Sequence, residues 1–236
     1  MSGFNPYNRW NFLPAKLRET ELTQLEEIEF KGTFGRIITG RERVIHRAPT
    51  HVGDLLAWNI NGDLPPLFWC FNNWAEPFLL AAKLPENQPL FALHSFHGYT
   101  ENWGEKGRLN EALAHRYLDS VKKVADGNRL IFGGNCQGGP IAESLAIQYE
   151  RYFEEQPFLV TLDYIGKRPY QGDRVLIFGE KSDFNPFQIG HDPIPYWKEK
   201  HAKFSWYILT GAHGSYFREP QIATLAQKIC SISESL

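Results

Sequence analysis

From Pro65 onward, short apolar runs alternate with longer stretches whose apolar residues recur at helical spacing. The apolar runs suit buried strands and occupy Leu67–Phe71, Leu90–Leu93, Leu130–Phe132, Phe158–Leu162, Val175–Phe178 and Phe204–Leu209. The longer patterns predict helices at Leu109–Val124, Ile141–Phe153, Pro195–His201 and Glu219–Ile232. This alternation predicts an α/β fold with a mostly parallel central sheet flanked by helices. In such sheets reactive groups gather at the carboxyl ends of the strands.

The first 64 residues have a different pattern. Leu13–Glu29 is polar with apolar residues at roughly helical spacing, which predicts a surface helix. Phe34–Ile38 and Arg43–His46 flank a Thr-Gly turn signal and are candidates for a hairpin. We therefore predict an N-terminal extension over residues 1–64, which is a candidate cover for the active site, and a catalytic domain over residues 65–236.

Composition narrows the classes of protein that fit. The 236 residues are 42% hydrophobic and 22% charged with a net charge of −2, which is ordinary for a globular protein and argues against nucleic acid as a partner. No apolar stretch is long enough for a membrane span, and the N-terminus has no signal-peptide pattern, so we expect a cytoplasmic protein without a membrane partner. Met1 and the tapering C-terminal end favour a free-standing protein over a domain of a larger synthase.

Three widely spaced cysteines form neither a disulfide framework nor a zinc site. Cys70, inside an apolar run, and Cys230, on the last predicted helix, are expected to be core thiols. Cys136 differs, because it lies in Gly-Gly-Asn-Cys-Gln-Gly-Gly-Pro between a predicted strand and a predicted helix. That arrangement is a nucleophile elbow with cysteine in place of serine. Gly134 and Gly138 leave room for the sharp turn, and the N-terminus of the helix that begins near Pro140 favours a thiolate.

A cysteine nucleophile needs a general base and an acid that orients it. His213 follows the last predicted strand, where enzymes with this elbow place their histidine. Two carboxylates compete for the acid. Asp163 ends the strand after the elbow helix, and Asp183 follows the next strand; spacing does not decide between them.

Several segments together resemble the thioesterase domains of nonribosomal peptide and polyketide synthases. The resemblance covers about residues 65–230 and rests on the strand sequences, the elbow and the segment Gly-Ala-His … Phe-Arg-Glu-Pro that contains His213. It implies an α/β-hydrolase fold that acts on acyl groups held on the phosphopantetheine arm of an acyl or peptidyl carrier protein. Because synthase-embedded members place the acid at the end of the strand after the elbow helix, it favours Asp163 over Asp183.

The sequence departs from that family at three points. The nucleophile is Cys136 instead of serine. Only Tyr164–Arg174 lies where the family inserts a helical lid, so the lid is expected to be short or absent. The loop after the first matching strand is Asn-Asn-Trp, so the oxyanion hole is expected to combine the Gln137 N–H with that of Trp74 or Asn73.

Cysteine changes the expected reaction. Exchange of an acyl group between two thiols is close to isoenergetic, so the acyl-enzyme stays activated toward amines and thiols. The sequence therefore predicts an acyl- or aminoacyltransferase with a Cys136–His213–Asp163 triad, no bound cofactor, and a small-molecule acceptor or second carrier, in natural-product biosynthesis. The alternatives are a thioesterase that hydrolyses carrier-bound thioesters, a hydrolase similar to dienelactone hydrolases, whose acid lies where Asp183 stands, and a binding scaffold without catalysis.

Other residues point less clearly to chemistry. His94 and His97 could suggest a metal pair, but no third ligand stands at suitable spacing. Trp69 and Trp74 flank the loop near the expected oxyanion hole and are candidates for shaping the acyl pocket. Trp197 and Trp206 are expected in the core.

Overall fold

The structure, a computed structural model, describes residues 49–52, 55–73, 75–96, 103–125, 129–190 and 192–236. The strands are β1 (Thr50–Val52), β2 (Leu55–Trp58), β3 (Leu67–Phe71), β4 (Leu90–His94), β5 (Ile131–Asn135), β6 (Phe158–Leu162), β7 (Tyr170–Gly179) and β8 (His201–Leu209). The helices are α1 (Glu76–Ala81), α2 (Trp103–Val121), α3 (Gly139–Phe153), α4 (Ile194–Lys200) and α5 (Gln221–Ser233). Two 3-10 turns occupy Cys136–Gly138 and Pro186–Ile189.

Within the residues that the structure describes, eight strands join one sheet in the order β1-β2-β4-β3-β5-β6-β7-β8. The pairs β1–β2 and β2–β4 are antiparallel, and every other neighbouring pair is parallel. The strands from β3 to β8 alternate with helices along the chain, which places helices on both faces of the sheet. The prediction of a mostly parallel α/β-hydrolase sheet is confirmed.

The alternation of side chains along each strand separates two core clusters. Phe68 and Phe132 face α2 and α3, where they pack with residues such as Leu113 and Leu145. The neighbouring side chains on the strands face the opposite side, where they pack with α1 and α5; members of that cluster are Trp69, Ile131, Ile177, Leu225 and Ile229. Apolar faces on both sides of the sheet explain why the central strands read as continuous hydrophobic runs.

The predicted strand bounds are reproduced for β3 and β6, whereas β7 is longer than its apolar run indicates. The first half of β7 alternates buried and exposed residues and includes Arg174, whose side chain is fully buried. Its guanidinium donates to Glu143 Oε1 on α3 at 2.8 Å, so the charge is paired inside the protein. Because a buried charge interrupts the hydrophobic pattern, the sequence did not predict the first residues of β7.

The N-terminal helix and hairpin expected at residues 13–46 lie outside the described residues. Within the described part, residues 50–58 form the β1–β2 hairpin, and β2 pairs with β4. The sheet thus begins before residue 65, inside the segment that the sequence pattern assigned to an extension.

The segment from Asp163 to Pro169 connects β6 directly to β7 without a helix. This matches the expectation of a short or absent lid. In the described part of the chain, no helix has the length and apolar character needed to cross a bilayer. Trp197 lies in the core as predicted, but the prediction for Trp206 was wrong, because its position on the last strand of the sheet order leaves it 39% exposed.

Candidate active site

Cys136 occupies the sharp turn between β5 and α3. Its backbone has φ +47°, a left-handed conformation that a side chain-bearing residue rarely adopts. Cys136 begins the 3-10 turn that leads directly into α3, and Pro140 lies in the first turn of that helix. Backbone strain at the residue between strand and helix is the geometry expected of a nucleophile elbow.

The flanking glycines are required by close backbone approaches. A Cβ on Gly134 would lie 2.5 Å from the carbonyl oxygen of Gly138, and a Cβ on Gly138 would overlap the carbonyl oxygen of Cys70 on β3. Gly133 and Gly139 are equally crowded, the first by the ring of Trp69 and the second by a tyrosine side chain. The glycine-rich sequence therefore allows the turn to pack tightly against the neighbouring strand.

The Cys136 thiol is half-buried, and burial raises its pKa above the ordinary value. The carboxylates of Asp163 and Glu76 raise that pKa further, whereas hydrogen bonds from the backbone and side chain of Gln137 lower it. The sequence led us to expect that the helix N-terminus would favour a thiolate. In the folded protein, burial and the charges of Asp163 and Glu76 act in the opposite direction and favour the neutral thiol.

His213 lies in the loop between β8 and α5, near Cys136. Its Nδ1 is 2.8 Å from Oδ2 of Asp163, and the ring of Phe184 packs against it with 4.6 Å between ring centroids. The Asp163 side chain is almost completely buried, whereas that of His213 is 39% exposed. A buried carboxylate that accepts the Nδ1 proton leaves Nε2 as the proton acceptor of the imidazole.

Asp163 follows the last residue of β6 and also has a left-handed backbone, with φ +52°. Its Oδ2 accepts hydrogen bonds from Ser182 Oγ at 2.8 Å and from Tyr216 Oη at 2.6 Å. The backbone N–H of Gly179 donates to Oδ1 at 3.3 Å. These donors fix the carboxylate and compensate for its burial. Sequence reasoning missed Ser182 and Tyr216, since only the fold brings them to Asp163.

Asp183, the other candidate acid, is exposed in the turn after β7. The structure brings Asp163, and not Asp183, into contact with His213. The neighbouring Ser182 is buried and points to Asp163.

The expected oxyanion donors lie on two segments that meet beside Cys136. The Gln137 N–H belongs to the elbow and directly follows Cys136 in the 3-10 turn. Asn73 lies in the loop after β3, and its Oδ1 accepts from the N–H groups of Ala75 and Glu76. Trp74 lies outside the described residues. The Asn72 N–H is engaged by Glu76, so Asn73 and Trp74 remain the candidates for the second donor.

Glu76 is a further carboxylate at this site that sequence reasoning missed. It is the first residue of α1, and its side chain accepts hydrogen bonds from the loop after β3 and from the elbow. The local signal was the Asn-x-x-Glu spacing of Asn73 and Glu76, whose side chains hydrogen-bond each other beside the start of the helix, although the N-cap is Ala75. The helix is only six residues long and lacks the periodicity that would have marked it.

The remaining sequence candidates take structural positions. Cys70 is completely buried, Cys230 is partly buried, and burial raises the pKa of both thiols. Trp69 is fully buried, and its Nε1 donates to Asn135 Oδ1 at 3.0 Å, so it packs behind the elbow. His94 Nδ1 accepts the N–H of Phe96, and His97 lies outside the described residues. Among the residues that the structure describes, no cluster of three or more His, Cys, Asp or Glu side chains could hold a metal.

Comparison with solved structures identifies the same fold in thioesterases. The NocB thioesterase domain from the nocardicin cluster aligns with a TM-score of 0.61 at 16% identity, covering 77% of this chain and 99% of that domain. YbtT, a type II thioesterase from the yersiniabactin pathway, aligns with a TM-score of 0.55 at 12% identity over 74% of this chain and 95% of YbtT. The Vlm2 thioesterase domain aligns with a TM-score of 0.53 at 15% identity over 73% of this chain and 94% of that domain.

Sequence comparison adds one distant relative. Malpinin synthetase of Mortierella alpina is 27% identical over 118 residues, which cover 46% of this chain and 1% of the synthetase. No family model matches the chain. The chain therefore has the α/β-hydrolase-like fold of these thioesterases and is distantly similar in sequence to malpinin synthetase.

Proposed function

We propose that this thioesterase-like protein is an acyl- or aminoacyltransferase of natural-product biosynthesis with a Cys136–His213–Asp163 triad. It takes the acyl group from the phosphopantetheine thioester of an acyl or peptidyl carrier protein and passes it to an amine or thiol acceptor. The observation that carries the proposal is a cysteine at a strained nucleophile elbow beside a histidine whose Nδ1 lies 2.8 Å from a buried aspartate. No bound cofactor is needed for this chemistry.

In the first half-reaction, His213 Nε2 takes the proton of the Cys136 thiol as the sulfur attacks the thioester carbonyl carbon. Asp163 accepts the Nδ1–H of the ring and stabilises the imidazolium that forms. The carbonyl oxygen becomes an oxyanion, which the N–H groups of Gln137 and of Asn73 or Trp74 stabilise. When the tetrahedral intermediate collapses, the carbon–sulfur bond to phosphopantetheine breaks and that sulfur takes the proton from His213.

In the second half-reaction, an amine or a second carrier thiol attacks the acyl-Cys136 carbonyl, and His213 removes its proton. The bond to Cys136 breaks, and His213 returns the proton to the cysteine sulfur. The first step exchanges one thioester for another, so little of the thioester's free energy is lost before the acceptor arrives. This energetic balance distinguishes a cysteine elbow from a serine elbow and supports transfer.

Hydrolysis of carrier-bound thioesters is a second candidate function. The His213 side chain is 39% exposed, and the connection from β6 to β7 carries no lid helix. Water that reaches the acyl-enzyme would release the free acid by the same steps as an amine acceptor.

Two further candidates receive less support. A hydrolase similar to dienelactone hydrolases would use Asp183 as its acid. In the described structure Asp183 is exposed, and the carboxylate that contacts His213 is that of Asp163. A binding scaffold has no need for a strained cysteine or for a buried aspartate fixed by Ser182 and Tyr216.

Mass spectrometry of the intact protein tests the proposal. Wild type, Cys136→Ala and Cys230→Ala are mixed with a panel of acylated carrier proteins, with and without amine and thiol acceptors. We expect an acyl adduct on wild type and Cys230→Ala, none on Cys136→Ala, and faster decay of the adduct when the right acceptor is present. Decay at the same rate with and without every acceptor would favour hydrolysis, and the absence of any adduct would exclude acyl-enzyme chemistry.

A further inference from the structure

Glu76 connects the two segments from which the oxyanion donors are expected. On the loop after β3, the Asn72 N–H donates to Glu76 Oε2 at 2.9 Å, and Asn73 Nδ2 donates to Oε1 at 2.9 Å. On the elbow, Asn135 Nδ2 donates to Oε2 at 3.3 Å. Asn135 immediately precedes Cys136. One carboxylate therefore bridges the loop after β3 (Asn72 and Asn73) and the nucleophile.

The bridge belongs to a closed network of hydrogen bonds. Asn72 Nδ2 donates to the Asn135 carbonyl at 3.0 Å, and Asn72 Oδ1 accepts from Ser95 Oγ at 2.9 Å. Asn135 Oδ1 accepts from Trp69 Nε1, which orients the amide so that its Nδ2 faces Glu76. Every partner of Glu76 in this network donates a hydrogen, which is the arrangement that suits an ionised carboxylate.

The charge of Glu76 also affects the pKa of two nearby thiols. Its carboxylate raises the pKa of Cys136 on the elbow and of Cys70 on β3, and Asp163 acts on Cys136 from the other side. Burial raises the pKa of Glu76 itself to about 7, although its hydrogen bonds to Asn72, Asn135 and Asn73 lower it. A proton on either oxygen would face one of these donors and remove an acceptor from the network.

We infer that Glu76 is a positioning residue, whose side-chain carboxyl group holds the loop after β3 (Asn72 and Asn73) against the nucleophile elbow. This inference rests on the proposed function, since the geometry it preserves is that of the acyl-transfer transition state. Glu76 itself does not touch the thioester. Its loss would raise the barrier to acylation and would leave the affinity for the carrier protein unchanged.

Two substitutions separate the charge of Glu76 from its reach. Glu76→Gln keeps the length but turns one oxygen into an NH₂ group, which faces a donor from Asn73 or from Asn72 and Asn135. Glu76→Asp keeps the charge but is one methylene shorter. Glu155→Gln, at an exposed surface position, is the matched control for the loss of one negative charge.

Single-turnover acylation of Cys136 is measured for each variant, together with the pH dependence of alkylation of that thiol by iodoacetamide. We expect acylation to fall at least tenfold in Glu76→Gln and Glu76→Asp, with half-saturation by the carrier protein unchanged within twofold. In Glu76→Gln the rate of Cys136 alkylation at a given pH should instead increase, because the thiolate forms at lower pH once the nearby negative charge is gone. In Glu76→Asp the alkylation profile stays close to that of wild type.

The inference would be overturned if Glu76→Gln matched wild type and Glu155→Gln both in its acylation rate and in the pH dependence of Cys136 alkylation. Equal losses of both rates, with a lower melting temperature, would also overturn it, since they would indicate a merely structural residue. If Glu76→Gln does not fold, Glu76→Asp carries the acylation test. Failure of wild type to accept an acyl group from any carrier thioester would refute the proposed function instead, while the alkylation measurement would still report on Glu76.

Discussion

The Nδ1 of His213 lies 2.8 Å from Oδ2 of Asp163, although fifty residues separate them along the chain. The aspartate is held by Ser182, Tyr216 and the Gly179 N–H, so its orientation does not depend on the histidine. A rigid buried carboxylate next to a half-exposed imidazole fixes the tautomer of the histidine, while the other ring nitrogen remains able to exchange protons with a nucleophile.

Asp163→Asn is expected to reduce the rate of Cys136 acylation by about 10³–10⁴-fold, because an amide can hold the imidazole in the wrong tautomer and cannot stabilise its charged form. Asp183→Asn is the matched control, and its rate should stay within about twofold of wild type. Single-turnover kinetics with an acylated carrier protein measure both variants. If Asp183→Asn loses as much activity as Asp163→Asn, the assignment of the acid is wrong.

Cys136→Ser is expected to change how the acyl-enzyme is partitioned. The serine adduct is an oxygen ester, which is less reactive toward amines and thiols, so the ratio of transfer product to free acid should fall at least tenfold. Chromatography of both products, with Cys136→Ala as the inactive control, measures this ratio. An unchanged ratio would mean that the pocket, and not the sulfur, selects the acceptor.

The pH dependence of Cys136 alkylation follows from the raised pKa of the thiol. Below that pKa the thiolate fraction falls tenfold for each pH unit, so labelling by iodoacetamide should be slow at pH 7 and should still increase above pH 9. Peptide mapping of labelled wild type, with Cys136→Ala for comparison, isolates this cysteine from Cys70 and Cys230. A rate that is constant between pH 6 and pH 9 would instead indicate a thiolate–imidazolium pair in the resting enzyme.

Gly138→Ala is expected to destabilise the protein by about 2 kcal/mol or more, because the added methyl group overlaps the carbonyl oxygen of Cys70. Gly107→Ala is the matched control. A Cβ at Gly107 would meet no atom within 4 Å, and the residue lies within α2, so alanine should stabilise the protein by up to about 1 kcal/mol. Denaturant unfolding measures both changes. Equal stability of Gly138→Ala and wild type would show that the elbow has room to relax.

Much of the sheet could be predicted because its central strands are buried on both faces. Their apolar runs are continuous, so β3 and β6 were located to the residue. The start of β7 was missed, since Arg174 is buried there against Glu143 and a charge in a sequence is ordinarily a sign of exposure. The short helix α1 was missed because six residues are too few to establish a helical period.

The sequence by itself determined the elbow, since glycines on both sides of a cysteine between a predicted strand and a predicted helix mark a sharp, crowded turn. It also determined His213 as the candidate base through its position after the last strand. Only the tertiary structure decided which aspartate faces that histidine, because Asp163 and Asp183 both follow strands that end at the same edge of the sheet. The same reason applies to the contacts of Ser182 and Tyr216 with Asp163 and to the contact of Asn135 with Glu76. Each joins segments that are distant along the chain, and no local pattern encodes which buried carboxylate such segments will meet.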